Sequence, residues 1–259
     1  MSRPTVVITR PLAQAQHFAR RVSAAGMNCN VEVLPLLDIL PLEDSTALRQ
    51  CLADLTPYAL VVFVSPNAIQ AAWPHCPYWP REVSLAVMGE GGLAELAVHG
   101  VNQENRTIHH PLDPLQTDSS TLVKALDLPS LRGKAVLVIR GESGRELLAD
   151  VLREAGVIVH QVAAYRRQAP VFDAIRRIQL LEMLAVDSRW VITSSEALRN
   201  LMKWVESLED SRYVVGIQRK SLVVPHVRIA ETAQSLGFDK VLLTGSGDEA
   251  LLAALQSNL

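Results

Sequence analysis

Three cysteines in 259 residues, Cys29, Cys51 and Cys76, are odd in number, widely spaced and without a CxxC. That excludes a disulfide framework and a cysteine-based zinc site, and leaves buried reduced thiols. An excess of either charge is also lacking. Twenty-five basic residues against 27 acidic give a formal net charge of −2, so neither nucleic acid nor an anionic membrane is an expected partner. No apolar run approaches the roughly 18 residues a membrane span needs. Met1-Ser2-Arg3-Pro4 moves straight into Val6-Val7-Ile8, without the apolar core and cleavage site of a signal peptide, so the expected location is the cytoplasm. What is present, 49% hydrophobic and 20% charged residues, suits a packed globular chain and excludes wholesale disorder. The length fits one large or two small domains.

Sharp chemical motifs are missing too. Gly89-Glu90-Gly91-Gly92 follows a strand pattern and opens a helix, but a dinucleotide fingerprint needs glycine where Ala94 stands. No GxxxxGK[ST] and no GxSxG occur, which excludes a P-loop and makes Ser65 and Ser194 poor nucleophiles. His109-His110 is a lone pair, short of the three or four ligands a metal site requires. Trp73, Trp79, Trp190 and Trp204 read as packing residues.

The organising feature is an internal repeat. Val6-Val7-Ile8-Thr9 is a β-branched strand, and Leu12, Ala15, Phe18, Ala19 and Val22 then fall on one helical face before Gly26. A second strand over 30–34 completes a β-α-β unit, hence a parallel pair with a right-handed crossover. The unit recurs 130 residues later. Val136 to Arg140 is the strand, Leu147, Leu148, Val151, Leu152 and Ala155 form the stripe, and Gly156 is the stop. Val62-Phe63-Val64-Ser65-Pro66-Asn67-Ala68 repeats as Val191-Ile192-Thr193-Ser194-Ser195-Glu196-Ala197, and Ser84-Leu85-Ala86-Val87 as Ser221-Leu222-Val223-Val224. Three ordered blocks at nearly one spacing predict two copies of one α/β domain. Periodicity leaves two arrangements open. The copies are sequential, or the first β-α-β unit completes its sheet with the last third of the chain.

In open parallel sheets ligands bind beyond the carboxyl ends of the strands, where helix N-termini present free N–H groups. This points to Arg10, to Ser65, Pro66, Asn67 and Ala68, to Gly89, to Arg140 and Gly141, to Ser194 and Ser195, and to Arg228. Ser143 with Glu146 and Thr193 with Glu196 also fit a capping box. Hydroxyls and amides with a few arginines (Arg10, Arg140, Arg166, Arg167, Arg228) suit a large polyanion, but name no reaction.

The ordered blocks resemble the uroporphyrinogen-III synthase family. The likeness runs through Val7-Ile8-Thr9-Arg10-Pro11, Val62 to Ala68, and Val138-Ile139-Arg140-Gly141-Glu142-Ser143-Gly144-Arg145-Glu146-Leu147-Leu148. It continues in Val162-Ala163-Ala164-Tyr165-Arg166-Arg167, Ile192 to Leu198, and Arg228-Ile229-Ala230-Glu231-Thr232-Ala233. Two departures stand out. Gly91-Gly92-Leu93 lies where the family often has a hydroxyl residue, and Pro225-His226-Val227-Arg228 replaces a Ser-His-Pro-Arg run.

The resemblance implies two flavodoxin-like α/β domains with parallel sheets. Residues 1–35 with 172–259 would form one and 42–164 the other, with 36–41 and 165–171 as a two-stranded linker. It implies a site in the interdomain cleft for hydroxymethylbilane, a linear tetrapyrrole with eight carboxylates supplied by hydroxymethylbilane synthase. The family closes this chain with loss of water and inversion of the last pyrrole, without a cofactor or metal. Tyr165 matches a family tyrosine that assists hydroxyl departure. A monomer is expected. The alternative is a non-catalytic two-lobed protein binding an anionic metabolite.

Overall fold

The computed structural model describes residues 3–76, 78–111, 113, 119–144 and 146–258; Arg145 of the resemblance lies outside them. The chain runs β1 (Thr5–Ile8), α1 (Leu12–Ala24), β2 (Asn30–Val33), β3 (Asp38–Pro41), α2 (Thr46–Ala53), β4 (Tyr58–Phe63), α3 (Pro66–Ala72) and a 3-10 turn at Trp73–His75. Next come β5 (Ser84–Val87), α4 (Glu90–Val98), β6 (Ile108–His109), α5 (Ser119–Lys124), α6 (Leu128–Leu131), β7 (Ala135–Gly141), α7 (Leu147–Glu154) and β8 (Ile158–Gln168). The last third holds α8 (Ala174–Ala185), β9 (Ser188–Val191), α9 (Ser195–Glu206), α10 (Ser211–Gln218), β10 (Ser221–Val224), α11 (Val227–Ser235), β11 (Lys240–Leu243) and α12 (Asp248–Asn258). Among the described residues no helix is long and apolar enough to cross a membrane.

Two compact units result, one of Met1–Asp38 with Gln168–Leu259 and one of Ile39–Arg167. The first carries a sheet in the order β11-β10-β9-β1-β2, and the second a sheet in the order β3-β8-β7-β4-β5-β6. β1 pairs in parallel with both β2 and β9, with Val7 opposite Trp190. β4 pairs in parallel with β5 and β7. Under the sequence repeat β1 matches β7, β4 matches β9 and β5 matches β10, so the two sheets share one order, β2-β1-β9-β10-β11 against β8-β7-β4-β5-β6. That is the doubly wound, flavodoxin-like order, and the α/β fold expected from the repeat is observed. The repeated stops Gly26 and Gly156 both take left-handed conformations, φ 67° and 81°, which glycine adopts without a Cβ penalty.

Alternation along each strand builds the cores. In the first unit Val6 and Ile8 pack with Phe18, Val22, Leu251 and Leu255, while Val7 and Trp190 pack with Leu198, Leu201 and Ile229 on the other face. In the second, Val61, Phe63, Leu137 and Ile139 face one layer and Leu60, Val62, Val136 and Val138 the other. Strands buried on both faces explain why the sequence reads as near-continuous apolar runs there.

Candidate active site

In each sheet the connections leave in opposite directions from one pair of neighbouring strands, and the carboxyl ends of that pair form the binding crevice of doubly wound folds. The pair is β1 and β9 in the first unit, and β7 and β4 in the second. Most of the predicted site residues lie at these two ends, while Gly89 and Arg228 follow the adjoining strands β5 and β10.

In the first unit Thr9 Oγ1 donates to the Val191 carbonyl at 2.8 Å and ties the two strand ends together. Arg10 follows directly. Its Nη1 donates to Asp248 Oδ1 at 2.5 Å, its guanidinium lies 5.9 Å from the Phe18 ring centroid, and its Nε is buried without a partner among the described residues. Ser194 caps α9, its Oγ accepting from the amides of Glu196 and Ala197 at 3.2 and 3.4 Å. The capping box read at Thr193 is therefore corrected by one residue: extended backbone at Ser194 (φ −148°) makes it the last non-helical position. Ser195 Oγ shares a hydrogen bond of 3.0 Å with Thr232 Oγ1, which donates to the Arg228 carbonyl at 2.8 Å. Arg228 stands in the first turn of α11.

In the second unit Ser65 caps α3, its Oγ accepting from the Ala68 amide at 3.2 Å. The same hydroxyl lies 3.0 Å from Tyr165 Oη and shares a hydrogen bond with it. Pro66 and Asn67 form the first turn of α3, and Gly89 is the N-cap of α4. Gly92 permits the close approach of that helix, since a Cβ there would lie 2.6 Å from Val87 Cβ.

Tyr165 is only 5% exposed. Strict alternation would place Val162 and Ala164 on one face and Tyr165 on the other. A register shift between β7 and β8, where Arg140 faces Ala163 but Gly141 faces Tyr165, sets all three in the same core. Such a bulge re-aims a side chain. Gly141 completes the seat, because a Cβ on it would meet the Tyr165 ring at 3.1 Å.

Arg140 is not a loose cation. Its Nη1 donates to Gln161 Oε1 at 2.7 Å and to Glu146, and Gln161 Nε2 donates to Glu146 Oε2 at 2.6 Å. The capping box read at Ser143 and Glu146 does not form: Glu146 occupies the N-cap position of α7 with no side-chain cap. Charge-assisted hydrogen bonds to a buried guanidinium outcompete a single backbone amide. The Gln161 hydrogen bond, then Arg140, holds the Glu146 carboxyl below its ordinary 4.5. A depressed carboxylate contributes stability that is present above the ordinary value and lost as pH falls through the folded value. The melting temperature of Glu146→Gln is therefore expected to lie below that of the unmodified chain at neutral pH, with the gap closing on acidification below 4.5. A gap that stays constant with pH would show that the charge contributes nothing.

The cysteines are free, and burial pushes the Cys29 and Cys76 thiols up. Among the described residues no group of three or more His, Cys, Asp and Glu is placed to hold a metal. Sequence reasoning missed Asp248, Thr232 and Gln161 as the partners that position Arg10, Ser195 and Arg140. They lie 238, 37 and 21 residues away from them, beyond the reach of any local pattern.

The family model for uroporphyrinogen-III synthase HemD matches residues 16–252. The uroporphyrinogen-III synthase of Salmonella typhimurium is 29% identical over 259 residues, covering 97% of this chain and 100% of the relative. That of Escherichia coli is 27% identical with the same coverage. The crystal structure of uroporphyrinogen-III synthetase from Helicobacter pylori superposes with a TM-score of 0.61 at 15% identity, covering 99% of both chains, which is a likeness of fold. With the family model matched over residues 16–252, which reach into both units, the chain belongs to the uroporphyrinogen-III synthase family.

Proposed function

We propose that this chain is the cyclising lyase of haem biosynthesis that its family contains, closing hydroxymethylbilane to uroporphyrinogen III with loss of water and inversion of the last pyrrole. The Ser65–Tyr165 hydrogen bond at the crevice end of β4 and β7 carries the reading. It aligns one phenol beside a helix start, where a leaving hydroxyl can accept its proton. The pyrrole nitrogen pushes the hydroxyl out, the C–O bond breaks, water departs and a reactive azafulvene remains. Because the substrate supplies the electrons, the protein's task is orientation and hydrogen bonding. That explains a site without a strong nucleophile.

The acidic side chains of the substrate are assigned to the amides and hydroxyls of Ser65, Asn67, Ala68, Gly89 and Gly141, with Pro66 shaping the first turn of α3 but donating no N–H of its own, to Ser194 and Ser195, and to the cations Arg10 and Arg228. The buried unpaired Nε of Arg10 supports its assignment, and that of Arg166, which also ion-pairs with Glu43 at 3.2 Å, adds a neighbour to Tyr165. Arg140 acts on binding through the loop it holds. Segments 36–41 and 165–171 are proposed as the linker, and a cytoplasmic monomer fed by hydroxymethylbilane synthase as the working state, with no nucleic-acid or membrane partner.

The test is the isomer ratio. With chelator present and no nucleotide or flavin, the protein is expected to convert fresh hydroxymethylbilane mainly to the type III ring. Uncatalysed closure joins the ends without inversion and gives type I, so ring formation alone proves nothing. A ratio equal to the blank would leave the binding-protein reading in its place.

A further inference from the structure

The amino ends of the first unit's strands, opposite the crevice, carry a cavity of about 320 Å³ lined by Arg189, Ser221, Val223, Lys240, Leu242 and Leu255, among others. That volume lies near the lower end of the roughly 300–1,000 Å³ of small-molecule clefts. Its polar residues share one row of the sheet, with Ser221 in register with Arg189 on one side and Lys240 on the other. Side chains in one row of a parallel sheet point to one face. Two residues along, Val223 pairs with Val191 and with Leu242, and Val191, Val223 and Leu242 pack in the core that Leu255 of α12 also joins. The cavity thus has a donor row at one end and an apolar wall at the other.

Arg189 is the unexplained group. Its Nη1 is buried without a hydrogen-bond partner among the described residues, and neither it nor Lys240 forms an ion pair there. A desolvated guanidinium nitrogen left unpaired is costly. The last turns of α12 bring only about half a negative charge to this end, too little to neutralise the Arg189 guanidinium, while Lys240 is exposed to solvent at the rim.

We propose that this cavity is a second ligand site, distinct from the crevice, that takes a small carboxylate with a short apolar body. The carboxylate sits on Arg189, Ser221 and Lys240, and the tail lies along Leu242 and Ala254, over the buried Val223 and Leu255.

Calorimetric titration of the full chain with sodium hexanoate tests this. Saturable binding is expected, with no binding of uncharged hexanol. Arg189→Met keeps most of the side-chain volume and is expected to weaken hexanoate about tenfold or more, as loss of a charged hydrogen bond does. Removal of an unpaired buried charge should not lower its melting temperature. Leu242→Phe, which fills the cavity, should weaken binding as well. Both variants are expected to keep the unmodified isomer ratio with hydroxymethylbilane, so this site and the proposed reaction can fail independently. Non-saturable heats, hexanoate binding unchanged in Arg189→Met, or binding of hexyl phosphate but not hexanoate would each overturn the proposal.

Discussion

Gly141→Val is expected to cost about a hundredfold in turnover, the scale of misplacing a reacting group by about an ångström. Even a methyl on Gly141 would come within 3.1 Å of Tyr165 Cζ and 3.3 Å of its Oη, and the two further carbons of valine force the ring out of its seat. The displaced ring carries the Ser65 hydrogen bond with it. Tyr165→Phe removes the hydroxyl alone and is expected to cost only about tenfold, as for one charge-assisted hydrogen bond. Clearly measurable activity should remain in it. Gly141→Ala should fall between the unmodified chain and valine. Steady-state turnover on hydroxymethylbilane, with a thermal melt to confirm folding, separates these outcomes. A folded valine variant as active as the unmodified chain would remove Tyr165 from the site.

Trp190→Ala carries the largest expected effect on stability, a loss of about 3–5 kcal/mol. Trp190 is wholly buried in β9, between Val7 of β1 and Leu222 of β10. Its indole Nε1 donates to Ser188 Oγ at 3.1 Å, and that hydroxyl donates to the Met183 carbonyl at 2.9 Å. Alanine leaves both a large cavity and one buried hydroxyl short of its donor. Urea denaturation followed by far-ultraviolet circular dichroism reads the change. A loss below about 1 kcal/mol would mean that the core collapses around the gap far more readily than packed interiors do.

Much of this architecture is legible in the residues. The β-branched runs, helical stripes and glycine stops mark the strands and helices, and the repeat announces two like sheets. Strand pairing between Val7 and Trp190 is not legible, because periodicity encodes which face a residue takes and not which distant strand lies beside it. The seat of Tyr165 is hidden for a related reason. Only the register shift opposite Arg140 and Gly141 turns it into the core, and a bulge leaves no mark on alternation alone. The serine caps are half legible. Ser65 and Ser194 stand where a capping residue should, but Glu146 is diverted by a buried arginine whose other partner, Gln161, belongs to the next strand.

The insertion of β1 between β2 and β9 has a consequence for synthesis. The second unit, Ile39–Arg167, is contiguous and can fold as soon as it leaves the ribosome. β1, α1 and β2 emerge first, yet β1 lacks one of its two neighbours until β9 follows. At about 5–20 residues per second that interval is roughly ten to thirty seconds. During it the β-branched edge of Val6–Ile8 is unpaired, the state in which strands join the wrong neighbour. Nascent chains with residues 1–170 outside the ribosome and β9 still inside it are therefore expected to resist protease across 39–167 and to be cut within the first 35 residues, with protection of those residues appearing only once β9 has emerged.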